Sequence, residues 1–366
     1  MTMHYVSGLM LTDEGFIEGH IGFEDGRIVE IGRGKARSNV AKGIIVPTIV
    51  NAHTHLADFL VPLDLSLPLE QIVAPPNGLK HRMLREIPEN RLLKSMRDLA
   101  RYMLKRGISH FIDFREGGVS GAHLLSRIKD GTAKPIIFGR PSHLEFIREE
   151  VDEILRVADG IGVSAISDWN YSVLEDLASY VREKKKRFAL HASEIVREDI
   201  DKILDLKPSY LVHMTVATDS DFELCAQENV PIVVCPRSNL LFGRIPPIDR
   251  MIKKGVRIAL GTDNAMFSLP DMFTELDFAG RILRYQGIRK IDDVLIMAFK
   301  TGREIIGLKG FSGVTPGELC DFMVIESKKG DPVTDLVFRS SSTDPIMVCI
   351  GREILRKNER IEESIE

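Results

Sequence analysis

The run Ile44-Ile45-Val46-Pro47-Thr48-Ile49-Val50-Asn51-Ala52-His53-Thr54-His55 decides how this chain is read. Six β-branched residues interrupted only by Pro47 predict a strand over Ile44–Ala52. Residues two apart on a strand share a face. His53 and His55 at its end can therefore direct both imidazoles at one ion, and neutral imidazole is a good ligand for zinc and iron. A His-x-His pair alone fits a surface or a core equally well, so its meaning depends on the rest of the chain.

Working outward, the two ends share one rhythm and the middle another. Gly19-His20-Ile21-Gly22-Phe23, the turn Glu24-Asp25-Gly26 and Arg27-Ile28-Val29-Glu30-Ile31 read as a hairpin. Asp321–Ile325 and Pro345–Ile350 are strand candidates at the other end. Between them, apolar runs alternate with helical patterns, the signature of βα units and a parallel sheet. Eight strand candidates can be counted: Ile44–Ala52, Ser109–Phe114, Pro135–Phe138, Gly160–Ile166, Arg187–Leu190, Tyr210–Val212, Pro231–Val234 and Arg257–Leu260. Helical patterns cover Glu89–Arg106, Ser120–Lys129, Glu149–Val157, Tyr171–Lys186 and Ser220–Glu228. The expected fold class is α/β, a (β/α)8 TIM barrel over residues 48–313, with residues 1–47 and 314–366 forming a small β-sandwich domain from both termini. A doubly wound open sheet is the alternative, and the absence of a Gly-rich phosphate fingerprint after the first strand weighs against it. The tail from Arg352 to Glu366 is charge-rich and expected to fray.

Composition narrows the partners. A chain of 366 residues, 44% hydrophobic, can bury the core that a barrel needs. Its net charge of -4 gives no reason to expect nucleic acid or an anionic membrane as partner. No apolar run is long enough to span a bilayer, and Met-Thr-Met-His-Tyr-Val does not start like a signal peptide. Cys225, Cys235, Cys320 and Cys349 form no paired framework, so a soluble protein of the reducing cytoplasm is expected. A homo-oligomer is compatible with the sequence but not specified by it.

Barrel enzymes carry their chemistry at the C-terminal ends of the strands. The residues just past each run are His53 and His55; Asp113, Arg115 and Glu116; Arg140 and His143; Asp168; His191; His213; Arg237 and Asn239; and Asp263. The chain has only 10 histidines, and four of them, His53, His55, His191 and His213, fall at the ends of the first, fifth and sixth strands, which a chance distribution does not explain.

These exits carry motifs. Asn51-Ala52-His53-Thr54-His55, Leu190-His191-Ala192-Ser193-Glu194, Leu211-Val212-His213, Val234-Cys235-Pro236-Arg237-Ser238-Asn239 and Leu260-Gly261-Thr262-Asp263 follow one another over nearly the whole chain. In this order and spacing the chain resembles the amidohydrolase superfamily. The His-x-x-Glu after the fifth strand and the Cys-Pro-x-Ser-Asn after the seventh are similar to its aminohydrolase branch, which holds cytosine, guanine and adenosylhomocysteine deaminases and triazine hydrolases.

That resemblance implies roles. His53, His55, His191 and Asp263 would hold one divalent ion, zinc first, with iron or manganese as alternatives, and leave a position open for water. The ion would lower the pKa of water towards neutrality. Asp263 would also take a proton from that water, and His213 would polarise it. Glu194 would protonate a ring nitrogen and pass a proton to the leaving ammonia. Two-metal relatives bridge their ions with a lysine on the fourth strand. Here Gly160-Ile161-Gly162-Val163-Ser164-Ala165-Ile166 has none, which favours a single ion.

The expected activity is hydrolytic deamination of an amino-substituted nitrogen heterocycle: a purine, pyrimidine or pterin-like compound. Hydrolysis of an amide or of a chloro- or alkylamino-heterocycle is the alternative, and a non-catalytic scaffold is a third reading that the intact ligand set opposes. The long connection Leu56–Pro88 reads as a lid whose Pro75-Pro76 stiffens it and whose Lys80 and His81 meet substrate. Arg115, Arg140 and Arg237 at strand exits suit an anionic group on the substrate, unless Asp113, Glu116 or Asp168 engages them. Asp168 and Asn239 complete the expected substrate contacts.

Overall fold

Thr48 divides the decisive run in two. The protein, seen in a computed structural model that describes residues 2–36, 38–75, 77–129, 131–311, 314–328 and 330–357, does not continue one strand from Ile44 to Ala52. Ala41–Pro47 is a strand of one sheet and β1 (Ile49–His55) a strand of another. The break falls at Pro47, whose ring removes a ladder donor. Pro76 of the expected lid and residues 358–366 of the charged tail lie outside the described residues.

After β1 the chain builds β2 (Ile108–Arg115), β3 (Lys134–Gly139), β4 (Gly160–Val163), β5 (Arg187–Ala192), β6 (Tyr210–His213), β7 (Ile232–Val234), β8 (Ile258–Leu260) and the two-residue β9 (Asp263–Asn264). The order is β8-β7-β6-β5-β4-β3-β2-β1-β9, and all pairs are parallel. Only Gly261 and Thr262 separate β8 from β9, so the pairing of β9 with β1 curls the sheet back on itself. The result is a mixed α/β fold of the TIM-barrel type. Every residue of β1 is buried, as in a strand covered on both faces.

Helices outside the sheet follow the expected patterns within a few residues, as at Glu89–Lys105 and Tyr171–Glu183. In Glu89–Lys105, Leu92, Met96, Leu99 and Met103 recur at helical spacing and are buried. Each such burial contributes roughly 1.5–3 kcal/mol. A separate apolar layer fills the inside of the sheet, among it Ile112, Phe114, Phe138, Tyr210 and Val212. The connection expected as a lid is mostly short helix: Leu56–Leu60, Leu69–Val73 and Leu79–Glu86.

Both ends of the chain meet in one seven-stranded sheet. Its strands run in the order 353–356, 347–350, 321–325, 41–47, 4–12, 15–24 and 27–33. The sheet joins the barrel at Thr48 through a buried clamp. Arg303 donates to the Thr48 carbonyl at 3.0 Å and to Asp321 Oδ2 at 2.7 Å, and Thr48 also bonds Ser109 Oγ at 2.7 Å and the Asp321 carboxylate. Removing one partner of a buried ion pair strands the other, so Arg303→Met should destabilise the protein by about 3 kcal/mol in chemical denaturation. An unchanged midpoint would mean that this clamp does not hold the two sheets together.

Candidate metal centre and active site

Three imidazoles converge because two lie on β1 and one on β5. His53 and His55 share a face of β1, their rings edge to face at 4.9 Å. His191 Nε2 lies 3.2 Å from His53 Nε2 and 3.4 Å from His55 Nε2. Backbone carbonyls set the tautomers. His191 Nδ1 donates to Val163 O at 3.0 Å. His55 Nδ1 faces Phe114 O at 3.1 Å and Glu116 Oε1 at 2.9 Å. Both Nε2 atoms therefore present lone pairs, which cannot bond one another. His53 rests on the Phe114 ring at 4.7 Å, and its buried Nδ1 meets no partner among the described residues.

Asp263 closes the set from β9. Its Oδ1 is 3.4 Å from His53 Nε2 and 3.7 Å from His55 Nε2. Ser238 Oγ donates to the other oxygen at 2.5 Å, and Asn264 Nδ2 to Oδ1 at 3.1 Å. A tetrahedral ion with ligands at about 2.0–2.1 Å would hold them roughly 3.4 Å apart, so this spacing fits one ion. The protonation states fit too. Burial holds His53 down to about 3 and His191 well below the usual histidine range, so both are neutral. Burial alone would raise Asp263, but the His53 hydrogen bond and the surrounding imidazoles outweigh it and keep the carboxylate ionised.

Close packing at two glycines permits this geometry. A Cβ on Gly162 of β4 would meet the Phe114 ring at 2.7 Å. One on Gly261 would meet His53 Cβ at 2.7 Å and the His53 backbone at 2.9 Å. Beyond Gly261, Asp263 turns to φ +59°, and at the end of β6 His213 has φ +75°. Left-handed backbone at buried non-glycine residues is strain of the kind that clusters at functional sites.

His213 lies behind the ion site, its ring stacked on His191 at 5.3 Å. Asn239 Nδ2 donates to His213 Nδ1 at 3.2 Å, which leaves the proton on Nε2. That proton faces Glu194 Oε2 at 3.6 Å. Burial pushes the Glu194 carboxyl up, against the pull of His213. His213 also comes within 4.8 Å of His53, His191 and Asp263. His55 Nε2, at 3.4 Å from His191 Nε2 and 3.7 Å from Asp263 Oδ1, faces the same point.

A second acidic cluster, His55, Asp58 and Glu116, lies on the far side of His55. Lys80 fills it: Nζ is 3.1 Å from Asp58 Oδ2, 2.7 Å from Glu116 Oε1 and 3.4 Å from Asn264 Oδ1. The ammonium meets the charge that another ion would otherwise meet. Asp113, pushed up to about 6 by burial, accepts from Thr54 Oγ1 and the Leu56 amide and so pins the end of β1.

The candidate residues divide between two cavities. Lys80, Arg140 and Asp168 join His55, His191, Glu194, His213 and Asp263 around one of about 250 Å³. His81, Arg115 and His143 line another of about 450 Å³, and Arg140 borders both. Arg237 lines neither cavity. Its Nε lies 2.5 Å from the buried Glu275 carboxylate, and Nη2 donates to Leu269 O. Asn239 stands behind His213 and not at the cavity wall. Sequence reasoning missed Ser238, Asn264, Asp58 and Glu198. Ser238 lay inside a motif already recognised. Glu198 ties the end of β5 to the strand-four loop, accepting from the Ser193 and Ser167 amides at 2.9 and 2.8 Å.

Comparison with known proteins places these features in a family. A model of the amidohydrolase family matches residues 44–354. A Methanothermobacter thermautotrophicus protein named "Putative aminohydrolase" is 33% identical, over 91% of this chain and 93% of its own. A 5-methylthioadenosine/S-adenosylhomocysteine deaminase of Bacillus cytotoxicus is 24% identical over 98% of this chain and 95% of its own. In fold, the chain matches a Xanthomonas campestris adenosine deaminase with bound zinc at a TM-score of 0.76, covering 98% and 94% of the two chains at 17% identity.

Glu116 orients His55 as an outer-shell carboxylate orients a metal-bound histidine. Glu116→Gln should weaken metal affinity by about 10–100-fold in chelator competition. Unchanged affinity would assign Glu116 to Lys80 alone.

Proposed function

The chain belongs to the amidohydrolase family, and from that premise we propose a metal-dependent deaminase of an amino-substituted nitrogen heterocycle. One observation carries the reading. Glu194, whose carboxyl burial pushes up, and His213, with its proton on Nε2, stand 3.6 Å apart beside three converging imidazoles. An amide hydrolase needs no donor for a ring nitrogen; attack on an amidine-like ring carbon does.

Deamination forms one C–O bond to water and breaks one C–N bond to ammonia. The two protons of the water end on a ring nitrogen and on the leaving amine. A divalent ion held by His53, His55, His191 and Asp263 would supply acidity to the water. Zinc is the ion we assign, since three imidazoles and a carboxylate suit it. Asp263 accepts the first proton from the water, and His213 Nε2–H orients its oxygen. Glu194 donates its proton to the ring nitrogen and relays the second proton of the water to the amine, and the first, held on Asp263, returns to Glu194 so that both carboxyls regain their starting state. Lys80, Arg140 and Asp168, which share the cavity wall, are the substrate contacts of this reading. The names of the deaminase relative and neighbour point to aminopurine-like rings, and pyrimidines and pterins remain in the same chemical class.

Two further assignments accompany this reading. Residues 48–313 are the catalytic barrel and residues 1–47 and 314–366 a small β-sandwich domain. A reducing, cytoplasmic setting agrees with four buried, free cysteines; among the described residues no helix is long and apolar enough to cross a membrane.

A pooled screen of aminopurines, aminopyrimidines and pterins, followed by ammonia, tests the activity. On the substrate it finds, Glu194→Gln should lower kcat by roughly 10²–10⁴ while metal stays bound. Substantial residual turnover would remove Glu194 from the mechanism.

A further inference from the structure

One ammonium touches both flanks of the candidate ion site. Lys80 is 2% exposed and sits on the helix Leu79–Glu86 of the connection that leaves β1. An ammonium has three donors and no acceptor. Three acceptors meet it here: Asp58 Oδ2 at 3.1 Å, Glu116 Oε1 at 2.7 Å and Asn264 Oδ1 at 3.4 Å. What Lys80 offers the neighbouring substrate cavity is therefore charge, and its hydrogen bonds go elsewhere.

Two of those acceptors lead on to the ligands assigned to the ion. Glu116 Oε1 also lies 2.9 Å from His55 Nδ1, so the atom that meets Lys80 is the one that keeps the His55 proton away from Nε2. Asn264 turns its Oδ1 to Lys80 while its Nδ2 donates to Asp263 Oδ1 at 3.1 Å. Because Lys80 can only donate, it decides which end of that amide faces Asp263. Flipped, the amide would set its oxygen against the carboxylate. The third acceptor, Asp58, hydrogen-bonds no ligand of the ion site among the described residues. β9 and β2 both pair with β1, so one side chain spans three neighbouring strand ends.

Charge alone argues in the other direction. A fixed positive charge close to a divalent cation repels it, and by that effect a chain without Lys80 would bind the ion more tightly. Partners that orient metal ligands act in the opposite sense, since losing one weakens metal by about 10–100-fold. The two effects predict opposite signs for one substitution.

We propose that Lys80 is a positioning residue of the metal centre. It sets the Glu116 carboxylate on His55 and the Asn264 amide on Asp263, and this orientation outweighs the repulsion between its charge and the ion. The role rests on the ion site of His53, His55, His191 and Asp263 and not on the deaminase chemistry.

Chelator competition with the cobalt-loaded protein tests this role, the visible spectrum reporting the ligand field at the ion. Lys80→Met should weaken cobalt about tenfold or more and alter the spectrum. Loss of the ammonium also strands buried carboxylates, so a second pair of variants keeps the test sound if Lys80→Met fails to fold. Asp58→Asn leaves Glu116 and Asn264 in place and should bind cobalt close to wild type. Adding Lys80→Met in that background strands one carboxylate fewer and should bring the loss of about tenfold. Where Glu116→Gln and Asn264→Ala have removed both connections, Lys80→Met should change the affinity little further, because partners in one network are not additive. Unchanged or tighter cobalt binding on adding Lys80→Met to wild type or to Asp58→Asn would overturn the role. So would a full further loss where both connections are gone, which would mark Lys80 as general support of the fold. No cobalt bound by wild type would overturn the ion site itself, and this role with it.

Discussion

Nitrogen lone pairs that face one another cannot share a hydrogen bond, and this site depends on that constraint. The Val163 and Phe114 carbonyls hold the protons of His191 and His55 on Nδ1, which turns both Nε2 atoms towards each other at 3.4 Å. His53 Nε2 stands 3.2 Å from His191 Nε2, and the ionised Asp263 faces the same point. Burial keeps His53 and His191 neutral, so no imidazolium relieves the crowding. On the proposed reading, a cation at the centre would take His53, His55, His191 and Asp263 as its ligands.

The fold bears the local cost of this arrangement in its backbone. Gly261 lets the last strand approach His53 closely, and two residues later Asp263 adopts a left-handed φ that aims its carboxylate at the imidazoles. His213 makes a similar turn at the end of β6 and brings its Nε2 to Glu194. On the other side of His55, Lys80 supplies a fixed positive charge where Asp58 and Glu116 would otherwise face each other unscreened. On the proposed reading, one bound ion and one covalently attached ammonium would share the work that two ions would do.

Much of this was legible in the sequence, for physical reasons. Buried parallel strands need β-branched runs, and a barrel sheet places the residues after those runs at one mouth, so His53, His55, His191, His213 and Asp263 could be grouped before any coordinate was known. The strand break at Thr48 was not read, although Pro47 marked it. A proline ends a ladder, but the run of β-branched residues on both sides hid the change of sheet. Arg237 was grouped with Arg115 and Arg140 because all three follow strands. Its partner Glu275 lies 38 residues away on a helix whose pairing no local pattern announces. The division of the mouth into two cavities was equally invisible, since it depends on where the helices after β1 pack. The ends of the chain were read as β-rich, and they meet in a seven-stranded sheet, a pairing between distant segments that spacing alone does not specify.

Anomalous diffraction from crystals of the zinc-loaded protein tests the central claim most directly. The account predicts one peak, within bonding distance of Nε2 of His53, His55 and His191 and of the Asp263 carboxylate, and none between Asp58 and Glu116. A second peak beside Lys80, or an ion that leaves the three Nε2 atoms unligated, would contradict it.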